Sequence, residues 1–593
     1  MPILNLMVVA MVGLITFLWA ARGKGRGVFS SFLAMVCVLA AGAIAFGVWE
    51  PLVYGVFMGM REDIAWTLGL LLPFGVSLLV MRLIVDQTVR ANMEFDDVTN
   101  FIGGAVFGLV SGVVTAGIVV IAASFLRFGP DMMGYKPIAD DRGNLSFDKP
   151  LWVPVDKLTA SFYERLSLTT LSTATPLAER MPAVWEHAAT GRRAFATTEE
   201  NKQLLARTSI KPEQFTVKGR YRVEGPKLGD LLKDSNLDKA QDVIYPDGSK
   251  PVEGSAIEGY TVQFLSGSAE KSGQVVIGSS QVRLLVRKSD GEVVGLYPIA
   301  VLSQPEAGAG MYRFRVDSDG LFFPSVGGQS SPAFVFEFVV PPGSVATDLF
   351  VKGTRVELGS LPAIDAKNVF RTAKARDDAI VDQSLFERFG VAAGRKVDLD
   401  TSESQRVTTT SSGGVGVQSI EVGANLPGQM VLNAGSMGRL EITPGKEILD
   451  GEHMYSAKDI QSNRGIDRDL RVDRFAVTRD TGLVKIVLSD NGRQTLLGQA
   501  VSRAESVVPP MVVDDKGNAF ECVGFIYQEG DTVRIRYTPG QPIRGMSEVP
   551  SLSASKRDQT LRLLFRPTKG ARITAFALGN KQVAEFDPPA LVR

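Results

Sequence analysis

The sequence predicts a membrane all-α N-terminal domain of four transmembrane helices, followed by two all-β sandwich-like extracytoplasmic domains. Three observations predict it. Residues 2–21, 27–49, 64–81 and 99–126 carry no Asp, Glu, Lys, Arg or His. From about Thr216 the apolar pattern takes a period of two. Strand and turn signals then recur in the same order in two stretches. The chain divides into 1–127 (membrane helices), 128–215 (a mixed, partly helical connection), 216–365 (first β domain), 366–412 (helix and linker) and 413–593 (second β domain).

Each charge-free run approaches or exceeds the ~20 residues that cross a bilayer as a helix. Helix is the conformation that satisfies the main chain there. Residues 2–21 read as an uncleaved anchor, because the positive charges follow the run where a signal peptide has them in front. Those charges, Arg22, Lys24 and Arg26, share the first loop with no acid. Loop 50–63 has Arg61 against Glu50, Glu62 and Asp63, and the third loop has Arg82 and Arg90. Positive loops stay in the cytoplasm, so both termini and the large C-terminal region are expected outside it, on an inner (plasma) membrane. Trp49 and Trp66 are expected at the outer interface and Trp19 at the inner one.

Gly104, Gly108, Gly112 and Ala116 recur every fourth residue and so stack on one face of the fourth helix. Such a face admits close approach of a neighbouring helix. Cys37, Ala41 and Ala45 of the second helix offer a counterpart, and a homo-oligomer through the glycine face is a further expectation. Pro73 is expected to kink the third helix.

Two glycine-rich motifs border these helices. Arg22-Gly23-Lys24-Gly25-Arg26-Gly27 joins the first two, and Asn100-Phe101-Ile102-Gly103-Gly104-Ala105, continuing to Gly108 and Gly112, opens the fourth. In both, the first fifth of the chain resembles the colicin V production protein (CvpA) family. The resemblance implies a four-helix inner-membrane domain connected with colicin V production or export, and with the envelope more broadly.

After the helices, Val155, Leu158, Phe162 and Leu166 mark an amphipathic helix over 154–167, free to lie along the membrane or pack on the next domain. Tyr312, Phe314 and Val316 alternate with Arg313 and Arg315, and Val533, Ile535 and Tyr537 with Arg534 and Arg536, as in half-buried strands. Asp247-Gly248, Asp290-Gly291, Asp319-Gly320 and Asn491-Gly492 mark turns. Leu284–Tyr297 resembles Met511–Phe520, and each is followed by an arginine-alternating strand. Phe338–Gly343 is then echoed by Phe565–Gly570, and Gly353 by Gly579. Two sandwiches related by duplication are the reading. Between them a helix is expected around Asp377–Phe389, and the Ser/Thr/Gly-rich stretch 400–416 reads as a mobile linker.

Chemistry has few candidates. His187 sits in a helical stretch and His453 in a loop, each with no second His or Cys nearby, so no zinc pattern forms. Cys37 and Cys522 read as free thiols. No nucleophile elbow or Gly-Asp-Ser-Gly run is present. Ser268 with Lys271 and Ser489-Asp490-Asn491 lack the K-T-G of penicillin-binding enzymes. Asp317-Ser318-Asp319-Gly320 lacks the glutamate of a calcium loop. Gly308-Ala309-Gly310 and Gly413–Gly416 lack the P-loop lysine. With 64 Lys+Arg against 64 Asp+Glu there is no basic field for nucleic acid. The expected protein has no enzymatic activity, cofactor or metal. Its helices lie in lipid and anchor β domains that bind an envelope or protein partner. The alternative is a channel or export accessory of the colicin V production type. No charge lies within the four runs, so an ion-coupled transporter is disfavoured.

Overall fold

The computed structural model describes residues 1–593 except 1, 22–26, 63, 90–92, 94, 127–131, 136–138, 142–143, 147–149, 194, 197–203, 206, 208, 226, 233–250, 266, 305–310, 317–321, 330, 360–368, 382–396, 403, 409–416, 457–458, 461–465, 489–507 and 553–558. Arg22, Lys24 and Arg26 therefore lie outside the described residues. So do the turns at Asp247, Asp319 and Asn491, the glycine runs at 308–310 and 413–416, and Ser489–Asn491.

Four helices are long and apolar enough to cross a membrane. They are α1 (Ile3–Ala20), α2 (Val28–Leu52), α3 (Ala65–Thr88) and α4 (Asp97–Ser124). This supports an integral membrane protein. Helix α2 runs on through a π-helical stretch, Val53–Phe57, to Met60. The span is thus longer than the charge-free run and takes in Glu50, a loop residue by charge alone. Asp96 caps α4 by accepting from the Thr99 amide at 3.0 Å. Asn100 accepts from the Val28 amide at 2.9 Å and so caps α2 from another helix. A Cβ on Gly27 would lie 2.3 Å from that Asn100 oxygen. A side chain at position 27 would push the Asn100 amide off the Val28 N–H.

The connection forms α5 (Val155–Leu168), α6 (Leu177–Arg180) and α7 (Val184–Arg193). Helix α5 packs on α4 of the bundle, and α6 and α7 pack between the bundle and the first β region.

The first β region contains β1 (Phe215–Val223), β2 (Ala256–Phe264), β3 (Val282–Arg287), β4 (Val293–Leu296), β5 (Ala300–Ser303), β6 (Tyr312–Arg315), β7 (Ala333–Val340), β8 (Val345–Val351), β9 (Thr354–Glu357) and β10 (Val369–Phe370). One sheet has the order β6-β5-β7-β2-β1-β10, the other β9-β8-β3-β4. Phe264, Phe334, Phe336, Phe338, Leu284 and Leu349, all fully buried, fill the space between them. Strand β1 alternates as its sequence demands, with Phe215, Val217, Tyr221 and Val223 inside. Strand β7 is buried on both faces and reads as a continuous apolar run.

Glu337 interrupts that run, and it inverts a neighbour. On β6 it is Arg313 that is buried, while Tyr312 and Phe314 are exposed, opposite to the facing expected from alternation. The cause is charge. Glu337 is fully buried, is bound by Arg313, accepts from the Tyr221 hydroxyl at 2.5 Å, and lies 3.3 Å from Arg376 of α8 (Ala373–Val381). Burial opposes the Glu337 carboxylate, but the Arg313 and Arg376 charges outweigh it and hold its pKa below the ordinary value. Arg376→Ala should therefore destabilise by about 3–5 kcal/mol, because it strips a buried carboxylate of one partner. Thermal unfolding of the detergent-solubilised protein checks this. A shift no larger than that of a surface Arg→Ala control contradicts it.

The second β region contains β11 (Gln405–Thr408), β12 (Val417–Val422), β13 (Ile448–Ser456), β14 (Val484–Leu488), β15 (Pro510–Asp514), β16 (Ala519–Glu529), β17 (Thr532–Tyr537), β18 (Gln559–Phe565), β19 (Arg572–Leu578) and β20 (Lys581–Leu591). Pairing runs β11-β20-β19-β15-β16 and β12-β14-β18-β16-β17-β13. Strand β16 serves both halves: Ala519–Glu521 pairs with β15 and Gly524–Glu529 with β17. Residues 405–408, expected in the linker, form β11 beside β20, anchored by buried Val407. His453, expected in a loop, lies in β13 with its ring 4.7 Å from Tyr455.

Candidate functional site at the end of the membrane helices

The bundle meets the first β region at one end, where α1 begins, α2 and α4 finish and α3 starts. At ~1.5 Å per residue, Glu50 stands about 33 Å along α2 from Val28, just past a hydrocarbon core ~30 Å thick. The rest of α2 projects beyond the core into protein.

Glu50 is 7% exposed. It accepts from Arg355 Nε of β9 at 2.9 Å and from Arg180 Nη1 of α6 at 3.4 Å. Arg355 also donates to Asp348 of β8 at 2.6 Å, and Arg180 to the Phe46 carbonyl. One helical turn on, the Tyr54 hydroxyl accepts from the Arg355 amide at 3.0 Å. Burial opposes the Arg355 charge, but Glu50 and Asp348 more than compensate and raise its pKa above the ordinary guanidinium value. For Arg180, burial outweighs Glu50 and the pKa falls. Arg355 is thus the principal partner.

A second ionic chain runs beside the first. Glu62, past the end of α2, is bound by Arg207. The Arg207 amide donates to Glu270 at 2.7 Å, and Glu270 pairs with fully buried Lys352 at 2.5 Å.

Between these chains the contact is aromatic. His187 of α7 is buried, with ring centroids 4.6 Å from Phe350 of β8, 6.0 Å from Phe125 and 6.4 Å from Trp66. Trp49 Nε1 donates to the Trp66 carbonyl at 2.8 Å. Trp49 and Trp66 are 1% and 3% exposed, so they form the core of this end of the bundle and not the lipid-facing belt expected.

His187 carries a pH dependence. Burial, and then the Arg283 charge, push its pKa down to about 3. The unfolded chain takes up this proton near pH ~6.5. Stability is full above that pH and falls as pH drops towards the folded value. At pH 4.5 the loss is about 2–3 kcal/mol. His187→Gln removes it, so wild type should lose more thermal stability than the variant between pH 7.5 and 4.5. Parallel losses contradict this assignment.

The glycine face is filled within the chain. A Cβ on Gly104 would lie 2.6 Å from the Trp19 carbonyl, one on Gly108 3.1 Å from Thr16 Cα, and one on Gly112 3.1 Å from the Val12 carbonyl. Ala116 packs with Leu4, Val8 and Val12. The close neighbour is α1, not α2. Cys37, Ala41 and Ala45 are buried on α2, which packs on α3 and on α4.

Among the described residues no group of three or more His, Cys, Asp or Glu is placed to hold a metal. Glu50, Asp348, Glu62 and Glu270 are each met by a cation, so what this arrangement does is hold the helices against the first β region. Glu50, Arg180, Asp348 and Arg355 escaped the sequence reading. A signal for Glu50 was present: residues 52–60, LVYGVFMGM, prolong the apolar run past it. Comparison with protein-family models, curated proteins and solved structures finds no match.

Proposed function

We propose that this is a non-enzymatic envelope protein whose helices hold two β domains rigidly against an inner membrane, outside the cytoplasm, where they bind an envelope or protein partner. The observation that carries the reading is the Glu50–Arg355–Asp348 bridge, which joins a membrane helix to two strands of the β9-β8-β3-β4 sheet. A flexible tether has no use for buried ion pairs at its root, whereas a fixed mount does. The cationic first loop, Arg22, Lys24 and Arg26, supports the orientation.

The proposal extends to ancestry. The order β6-β5-β7-β2-β1 matches β17-β16-β18-β14-β12, and β9-β8-β3-β4 matches β20-β19-β15-β16. This shared order supports two sandwiches arisen by duplication, with β4 and β5 fused into β16 in the second. The likeness of the first 127 residues to the colicin V production family belongs to the same proposal and keeps an export accessory as the alternative.

The test is photo-crosslinking in cells from Tyr312 and Met454, exposed on the two β regions, with reconstituted full-length protein assayed for solute flux. The scaffold reading expects a discrete envelope adduct and no flux. Flux abolished by Gly108→Leu, with no adduct, contradicts it and favours the alternative.

A further inference from the structure

Helix α5 has its apolar stripe on the wrong side for a helix packed only on protein. Val155, Thr159, Ala160 and Tyr163 are buried, yet Leu158 is 51% and Phe162 40% exposed. Trp152, before the helix, and Leu168, at its end, are exposed as well. What covers that stripe follows from where α5 sits.

Its inner face rests directly on the spans. Thr159 Oγ1 donates to the Val113 carbonyl of α4 at 3.4 Å, and the Tyr163 hydroxyl to the Leu39 carbonyl of α2 at 3.0 Å. Just before the helix, the Trp152 amide donates to Asn5 of α1 at 3.0 Å. Gly117 makes the approach feasible, since a Cβ there would lie 2.0 Å from Thr159 Oγ1 and 2.4 Å from the Val155 carbonyl. Measured from Asp97 at ~1.5 Å per residue, Val113 is about 24 Å and Gly117 about 30 Å along α4. A hydrocarbon core is ~30 Å thick. The α5 contacts on α4 therefore fall within about 6 Å of its rim, beside lipid-facing positions of α4 such as Leu109, 49% exposed, while the Tyr163 side chain reaches deeper, to Leu39 about 16 Å along α2 from Val28.

We propose that α5 lies flat in the bilayer leaflet on the β-region side, with Leu158 and Phe162 among the acyl chains and Lys157 and Arg165 at the level of the lipid phosphates. Lys157 and Arg165 are exposed, with the Lys157 ammonium 5.3 Å from the Trp185 ring centre. Trp152 is the residue type that settles at such an interface. An interfacial helix buries its apolar face about 5–10 Å below the headgroups, which agrees with the depth of its α4 contacts at Val113 and Gly117. The leaflet, α5 and the ionic junction above it would then form successive layers beneath the β9-β8-β3-β4 sheet.

This inference rests on α1–α4 being in lipid, and its test separates the two. Full-length protein with Cys37→Ala and Cys522→Ala receives one cysteine at Leu158, Phe162, Leu109 or Lys516. Each is labelled with a bimane fluorophore and reconstituted with lipids brominated on the acyl chain near the headgroup or near the chain end. All four positions are exposed, so the fold tolerates the label. At Leu158 and Phe162 the shallow bromines should quench more than the deep bromines, as an apolar face buried about 5–10 Å requires. Leu109 should be quenched, and Lys516, in a turn of the second β region, should not. Unquenched labels at 158 and 162 beside a quenched 109 overturn the placement of α5 alone. An unquenched 109 overturns the membrane reading and this inference with it.

Discussion

Leucine at Gly104 or Gly108 is expected to force the first and fourth membrane helices apart. At Gly104 even a Cβ would overlap the Trp19 carbonyl, and at Gly108 it would press on Trp19 Cβ at 2.9 Å and the Thr16 backbone. Backbone atoms cannot rotate aside, so α1 itself must move. Overpacking of this kind costs about 1–3 kcal/mol and occasionally more, with Gly104→Leu the worse. Gly47 on α2 supplies the control, because nothing lies within 4 Å of its added Cβ, and Gly47→Leu should be near neutral. Melting temperatures in nanodiscs compare the three. Because the face is occupied by α1 of the same chain, the loss should be independent of protein concentration. A concentration-dependent loss would mean that the stripe pairs two copies.

Glu50→Ala or Arg355→Ala is expected to loosen the first β region from the bundle and to cost about 3–5 kcal/mol, as breaking buried ion pairs does. Arg355→Ala should be the more damaging, since it leaves both Glu50 and Asp348 short of a cation. Arg180 would still reach Glu50, but at 3.4 Å and with a guanidinium already weakened by burial. A double-mutant cycle with Glu50→Gln and Arg355→Gln isolates the pair. Coupling of roughly 0.5–3 kcal/mol is typical of residues in one network. Coupling near zero would show that the bridge does not join helix to sheet energetically.

How far the sequence reached can be judged from these same residues. The spans were legible because lipid excludes charge, and the glycine stripe because a helix repeats its face every three to four residues. The partner of the stripe was not. It is α1, whose Val12, Thr16 and Trp19 form a ridge that fits the groove and carry no small-residue signature of their own. Strand positions were legible from their period of two, but facing failed at β6, where buried Glu337 demands Arg313 on the inside. At α5 the stripe identified the helix but left its covering open, because periodicity alone does not distinguish lipid from a neighbouring domain. The ionic junction was the least legible part. Glu50 lies about 300 residues in sequence from Arg355, and only the folded chain brings such charges together.

Everything structural at the junction depends on α1–α4 residing in lipid. The direct measurement is to wash membranes containing the full-length protein at alkaline pH and sediment them. The account predicts that the intact chain stays with the pellet and leaves it only in detergent. Recovery of the intact chain in the supernatant after the wash would contradict it.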